Sequence, residues 1–124
     1  MHISEYQRWL EEWDKARGWD RVSPSHTLVH ALEEMGEVAR LVLQWEGYKE
    51  GDPEQTRREL AEELSDLFVF LFKLAYQCGI DVEEALQAGQ CKADARFGDL
   101  EAAAAELERY LTRQAEHLAR MRGK

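Results

Sequence analysis

Both prolines of the chain stand directly after a residue that can cap a helix, in Ser23-Pro24 and Asp52-Pro53. Proline lacks a backbone donor and holds φ near the helical value, so it suits the first position of a helix and disrupts the interior. Two helix starts are therefore marked, and the rest of the chain is free of the strongest helix breaker. Glycine supplies the stops. Gly18, Gly47, Gly79 and Gly98 each follow a run with apolar residues at three- and four-residue spacing. This punctuation predicts helices over roughly 4–17, 24–46, 53–78, 81–98 and 99 onward. Ser4, Asp52, Asp81 and Asp99 are the expected caps, with Gln7, Gln55 and Glu84 completing capping boxes for the first three.

Each run has its apolar set. The first carries Tyr6, Trp9, Leu10 and Trp13, and the second Leu28, Leu32, Met35, Ala39 and Val42. The third carries Leu60, Leu64, Leu67, Phe68, Leu71 and Ala75. The last is Ala-rich and its edge is sparse: Leu100, Leu107, Tyr110 or Leu111, and Leu118. Such an edge suits docking on the bundle or on a second subunit. Short gaps make neighbouring helices antiparallel. The predicted architecture is all-α, an antiparallel four-helix-bundle core over residues 1–98. A C-terminal helix over 99–124 extends the same domain. A length of 124 residues suits one domain.

Charge narrows the function. There are 25 acidic against 16 basic residues, a formal net charge of −9. That balance argues against a nucleic-acid partner, whose phosphates call for Lys and Arg. It suits cation binding, or simple solubility. The longest apolar run, Leu67 to Phe72, is far too short to span a membrane. The segment MHISEYQRWL has no signal-peptide core. Cys78 and Cys91 form no CxxC pair and read as reduced, inert thiols. The expectation is a cytoplasmic protein with neither membrane nor nucleic acid as partner.

The acids are not evenly spread. LEEMGEVARL places Glu33, Glu34 and Glu37 beside the apolar stripe of the second helix. Residues three and four apart share a helix side. The third helix carries Glu63 and Asp66, again three apart, and the sequence becomes almost wholly apolar just after Asp66. With the two helices antiparallel, Glu37 lies ten residues before Gly47 and Glu63 eleven after Asp52. The two groups then meet at similar height. Converging carboxylates raise each other's pKa, and burial adds to the cost. A divalent cation removes that cost, and an all-oxygen set selects Mg²⁺, with Mn²⁺ as substitute, over Zn²⁺. The competing reading is a solvated acidic face. Matched heights and the apolar flank favour the metal.

The pattern E-E-x-x-E followed by E-x-x-D on the next helix resembles the MazG-type nucleotide pyrophosphohydrolases, an all-α superfamily. It reads Glu33-Glu34-Met35-Gly36-Glu37, then Glu63-Leu64-Ser65-Asp66. GIDVEEAL, from Gly79 to Leu86, is similar to the segment that follows in that family. The likeness covers roughly residues 4–98. It implies a Mg²⁺-dependent enzyme cleaving a nucleoside triphosphate between the α and β phosphates. It implies Glu34, Glu37, Glu63 and Asp66 as metal ligands. Glu33 is left as a further-ion ligand, a water-orienting group or a surface acid. It also implies a homodimer or homotetramer with substrate pockets near subunit contacts. One departure stands out. The family's K-x-x-x-N-x-x-R run is broken by Gly89 and Ala93, leaving Lys92 and Arg96 as the basic positions for phosphate.

Other motifs are weaker. His26 is followed by Thr27, so there is no H-E-x-x-H metalloprotease helix. No E-x-x-H occurs, which argues against a di-iron carboxylate bundle. No glycine-rich phosphate loop has the Walker spacing. His30, one turn before Glu34, is within reach of a phosphate. Among Trp9, Trp13, Trp19, Trp45 and Tyr48, the best candidates to stack on a base are Trp19 and Trp45. The alternative to an enzyme is a non-catalytic helical nucleotide-binding or oligomerisation module.

Overall fold

The computed structural model describes residues 1–123. Among them there are α-helices, one short 3-10 turn and no strand. The helices are α1 Ile3–Arg17, α2 Pro24–Trp45, α3 Pro53–Gln77, α4 Val82–Phe97 and α5 Leu100–Arg122, with the 3-10 turn at Trp19–Arg21. Both prolines occupy first-turn positions, and Ser23 and Asp52 accept the backbone N–H groups of His26 and Gln55. Gly18 closes α1 at φ 74°, in the left-handed region where a side chain would be strained.

The start of α1 differs from expectation. His2 is the cap and Glu5 its capping-box partner, two residues ahead of the Ser4–Gln7 pair. Ser4 and Gln7 are used across the fold instead. Ser4 Oγ donates to Glu83 at 2.6 Å. The buried Gln7 donates to the Ile80 carbonyl at 2.7 Å and accepts from the Val82 N–H at 3.0 Å. A side chain tied to a distant turn is not available to its own helix end.

The chain divides into two compact units, Met1–Ala85 and Leu86–Lys124. The first is built on the antiparallel pair α2–α3, with α1 packed on α3. Thr27 Oγ1 donates to Gln77 at 2.8 Å at one end of the pair, and Thr56 Oγ1 to Gln44 at 3.4 Å at the other. Both threonines are fully buried, so these bonds satisfy groups that would otherwise cost about 1–3 kcal/mol each. Between them the inner face of α2 runs Thr27, Ala31, Glu34, Val38, Leu41. From α3, Thr56 and Leu67 are buried and Leu60, Glu63 and Leu74 half-buried.

This face is one residue out of phase with the predicted stripe. Leu28, Leu32 and Met35 are exposed, Leu32 by 62%. A shift of one residue turns a helix by about 100°, so the whole apolar set moves off the α3 contact. Small side chains at Thr27 and Ala31 permit the closer approach. The shift puts Glu34, rather than a leucine, in the middle of the inter-helix seam.

α4 enters the first unit only with its first turn, through Val82 and Glu83. Three long helices and that turn make up this unit. The second unit holds the rest of α4 and α5. Asp99 caps α5 by accepting from the N–H groups of Glu101 and Ala102. Leu107, Leu111 and Leu118 form the expected apolar edge of α5, and all three are exposed.

Candidate metal centre and adjoining cavity

The out-of-phase seam sets the site. Glu34 from α2 meets Glu63 and Asp66 from α3, with one carboxylate oxygen of each within 4.8 Å of the others. Glu34 is half-buried on the helix contact, while Asp66 opens to solvent. The Glu34 carboxyl is pushed up to about 7. The hydrogen bond with Glu63 is the largest cause, followed by burial and the charges of Glu63, Asp66 and Glu37. Near neutral pH this group is therefore divided between acid and carboxylate. Oxygen donors only, at this separation, fit a hard divalent cation.

Of the five sequence candidates the structure gathers three. Glu37 contributes its charge, but its Oε2 pairs with Arg40 at 3.2 Å on an exposed side of α2. Glu33 is two-thirds exposed and faces His30 Nδ1 at 3.7 Å. The helix heights inferred by counting from the loop put Glu37 opposite Glu63. The residue actually opposite Glu63 is Glu34, one turn further from the loop.

Next to the carboxylates lies a cavity of about 580 Å³. Its aromatic walls are Tyr6, Trp9 and Trp13 of α1, Trp19 of the 3-10 turn, His30 of α2 and Phe70 of α3. The His30 and Phe70 rings are stacked, with centroids 5.4 Å apart. Ser65, between Glu63 and Asp66 in sequence, also lines it. The cavity thus borders the segment that carries the acids. Trp19 and His30, two of the sequence candidates, both line the cavity. Trp45, the other favoured tryptophan, is exposed near the end of α2 and lines no part of this cavity. Lys92 and Arg96 are exposed on α4 in the second unit, where the Arg96 guanidinium lies 5.6 Å over the Phe97 ring.

Sequence reasoning missed the polar floor of this cavity. Asp14 and Lys73 both line it and are 3% and 8% exposed. Lys73 Nζ stands 3.7 Å from Asp14 Oδ2, and the same oxygen accepts from Tyr76 OH at 2.5 Å. Burial, reinforced by that carboxylate, pushes the Tyr76 phenol far above its usual range. The signal was present. Gln7, Leu10 and Asp14 share one face of α1, and Lys73 interrupts an apolar run. Polar residues in phase with a core stripe announce a buried network.

Comparison with known proteins now bears on this geometry. The family of MazG nucleotide pyrophosphohydrolase domains matches residues 22–99. The chain is 30% identical to YvdC of Bacillus subtilis over 103 residues, 78% of this chain and 97% of that protein. It is 32% identical to dCTP pyrophosphatase 1 of Bos taurus over 97 residues, 74% of this chain and 55% of that protein. The mouse enzyme of the same name is also 32% identical, over 68% of this chain and 52% of its own length. The chain thus spans about half the length of the dCTP pyrophosphatases that it matches. The family match over residues 22–99 contains every residue of the carboxylate cluster, whereas α1 and Trp19 of the aromatic wall precede it.

Proposed function

The chain belongs to the MazG nucleotide pyrophosphohydrolase family, and from that premise we propose a Mg²⁺-dependent house-cleaning enzyme that hydrolyses a (d)NTP between the α and β phosphates. The products are the (d)NMP and pyrophosphate. The observation that carries this reading is the convergence of Glu34, Glu63 and Asp66 from two helices beside a large aromatic cavity.

Glu34, Glu63 and Asp66 would hold the cation, with Glu37 joining once released from Arg40. Bound there, a divalent ion supplies charge neutralisation for the phosphates and lowers the pKa of a water. The remaining work belongs to the chain. Glu33, paired with His30, would orient the attacking water. Trp19, His30 and Phe70 hold the base by stacking, which fixes the distance from base to scissile phosphate and keeps water from that end of the site. The resemblance leaves Lys92 and Arg96 as the candidate phosphate-contacting residues of α4.

The exposed Leu28, Leu32 and Met35 of α2, together with Phe68 and Leu71 of α3, need a cover. A second copy supplies one, and its own α2–α3 pair would complete a four-helix core. A cytoplasmic homodimer or homotetramer follows from this reading. The dCTP in the relatives' name is not carried over, because the chain spans only about half of their length.

The test is a panel of (d)NTPs, scored for pyrophosphate release with and without Mg²⁺, on the wild type, Glu34→Gln and Asp66→Asn. Metal-dependent release in the wild type, reduced about 100-fold or more in both variants, is expected. Absence of metal-dependent turnover across the panel, or unchanged turnover in both variants, overturns the assignment.

A further inference from the structure

Asp14 and Lys73 lie at the floor of the aromatic cavity, remote in function from the carboxylates and unused by the hydrolytic step. A buried ammonium is costly unless its donors are used. Lys73 carries three donors and no acceptor. Among the described residues its nearest anionic partner is Asp14 at 3.7 Å, too long for a full hydrogen bond. Asp14 itself is the better satisfied of the two, because Tyr76 donates directly to Oδ2. The spare hydrogen-bonding capacity at the floor is therefore that of a donor, not of an acceptor.

The surroundings say what a ligand must be. Flat aromatic walls accept a planar ring, and the stacked His30–Phe70 pair makes one of them. Lys73 lies about 10 Å beyond Asp66 along α3, so a ring whose phosphates face the acids presents its far edge to Lys73. A carbonyl oxygen there completes the ammonium's hydrogen bonding. An exocyclic amino group there meets another donor and leaves both unpaired, which costs far more than a lost contact in water.

We propose that Lys73, positioned by Asp14, is the specificity determinant of this cavity and selects nucleobases that present an oxo group, as in hypoxanthine, guanine or uracil, over the amino-bearing adenine and cytosine. This rests on the nucleotide reading above. It goes beyond it by assigning the base edge that is read. Asp14 is a positioning residue in this scheme: it holds the ammonium without touching the base.

The test uses pairs that differ in a single exocyclic group and needs no hydrolysis. Inosine and adenosine 5′-monophosphates, then uridine and cytidine 5′-monophosphates, are titrated into the full chain. Quenching of tryptophan fluorescence is the readout, since Trp9, Trp13 and Trp19 line the cavity. The oxo member of each pair should bind about tenfold tighter or more. Lys73→Met should bring the ratio to within about twofold, and Lys73→Arg should keep the oxo preference. Melting curves check that each variant is folded, and the wild-type ratio stands even if one is not. Equal or tighter binding of the amino member by the wild type overturns the proposal, as does absence of quenching by all four. Selective quenching without any triphosphate hydrolysis would sink the enzymatic reading and leave this one standing. Hydrolysis without discrimination would do the reverse.

Discussion

The carboxyl groups of Glu34 of α2 and Glu63 of α3 face each other across the seam of the helix pair with oxygens within 4.8 Å, and the hydrogen bond they can share is the largest cause that raises the Glu34 carboxyl to about 7. Two acids can share it only while one keeps its proton. The folded protein therefore carries a destabilising element in its main helix contact, which a divalent cation bound there would relieve.

The sign of the pH effect follows from this. The Glu34 carboxyl titrates near 7 in the folded chain against 4.5 for the ordinary side chain. Between those values the folded state holds more protons than the unfolded one, so metal-free stability falls as pH rises. Melting temperature measured in EDTA should climb on acidification from above pH 7 toward pH 5, if other groups are held in check by comparison with Glu34→Gln. The variant should lack that component. A wild-type profile parallel to the variant's would contradict the shared proton.

Mg²⁺ should act in the opposite direction. Binding to the native state at 100 times Kd adds about 2.7 kcal/mol, which for a chain of this size is on the order of 10 °C in Tm. Protons compete for Glu34, so the shift should be larger at pH 8 than at pH 6. Thermal melts at both pH values, with and without Mg²⁺, measure it directly.

Glu34→Gln separates stability from function. The amide keeps a hydrogen bond to Glu63 without adding a charge. The variant should melt higher than the wild type without metal, lose most of the Mg²⁺ shift and lose turnover. Stabilisation with loss of activity is the usual signature of a strained functional group. A destabilised Glu34→Gln would argue that the seam needs the carboxylate.

Asp14→Ala leaves the Lys73 ammonium buried and unpaired. Removing one partner of a buried pair costs about 3–5 kcal/mol. Tyr76→Phe removes one donor from Asp14 and should cost about 1–3 kcal/mol. Urea unfolding of the two variants checks both the order and the size.

Leu41 is fully buried, whereas Leu32 is exposed on the face assigned to a second copy. Leu41→Ala should cost about 2–5 kcal/mol at any protein concentration. Leu32→Glu should instead alter assembly. Light scattering is expected to show a dimer or larger for the wild type and a smaller species for the variant. A monomeric wild type would remove the second copy from the proposal.

Much was legible because it is local. Helix starts at Pro24 and Pro53, the left-handed stop at Gly18 and the Asp99 cap depend on residues within a turn of one another. The five helices and the pairing of Glu63 with Asp66 follow from that local chemistry. The resemblance carried by the acidic spacing pointed to the family that the comparison then showed.

What only the tertiary structure decided is phase and partnership. Periodicity shows that α2 has an apolar stripe, but not that α3 would pack one residue away from it. Helix contact depends on how closely two backbones approach, and Thr27 and Ala31 allow an approach that Leu28 and Leu32 do not. That rotation exposed the predicted stripe, drew Glu34 into the seam and left Glu37 to Arg40. For Gln7, Asp14 and Lys73 the sequence could flag a polar residue in phase with the core, but their partners, like that of Ser4, were set only by the fold. Each finds its partner across the fold, and a polar side chain's role is fixed by the partner that satisfies it.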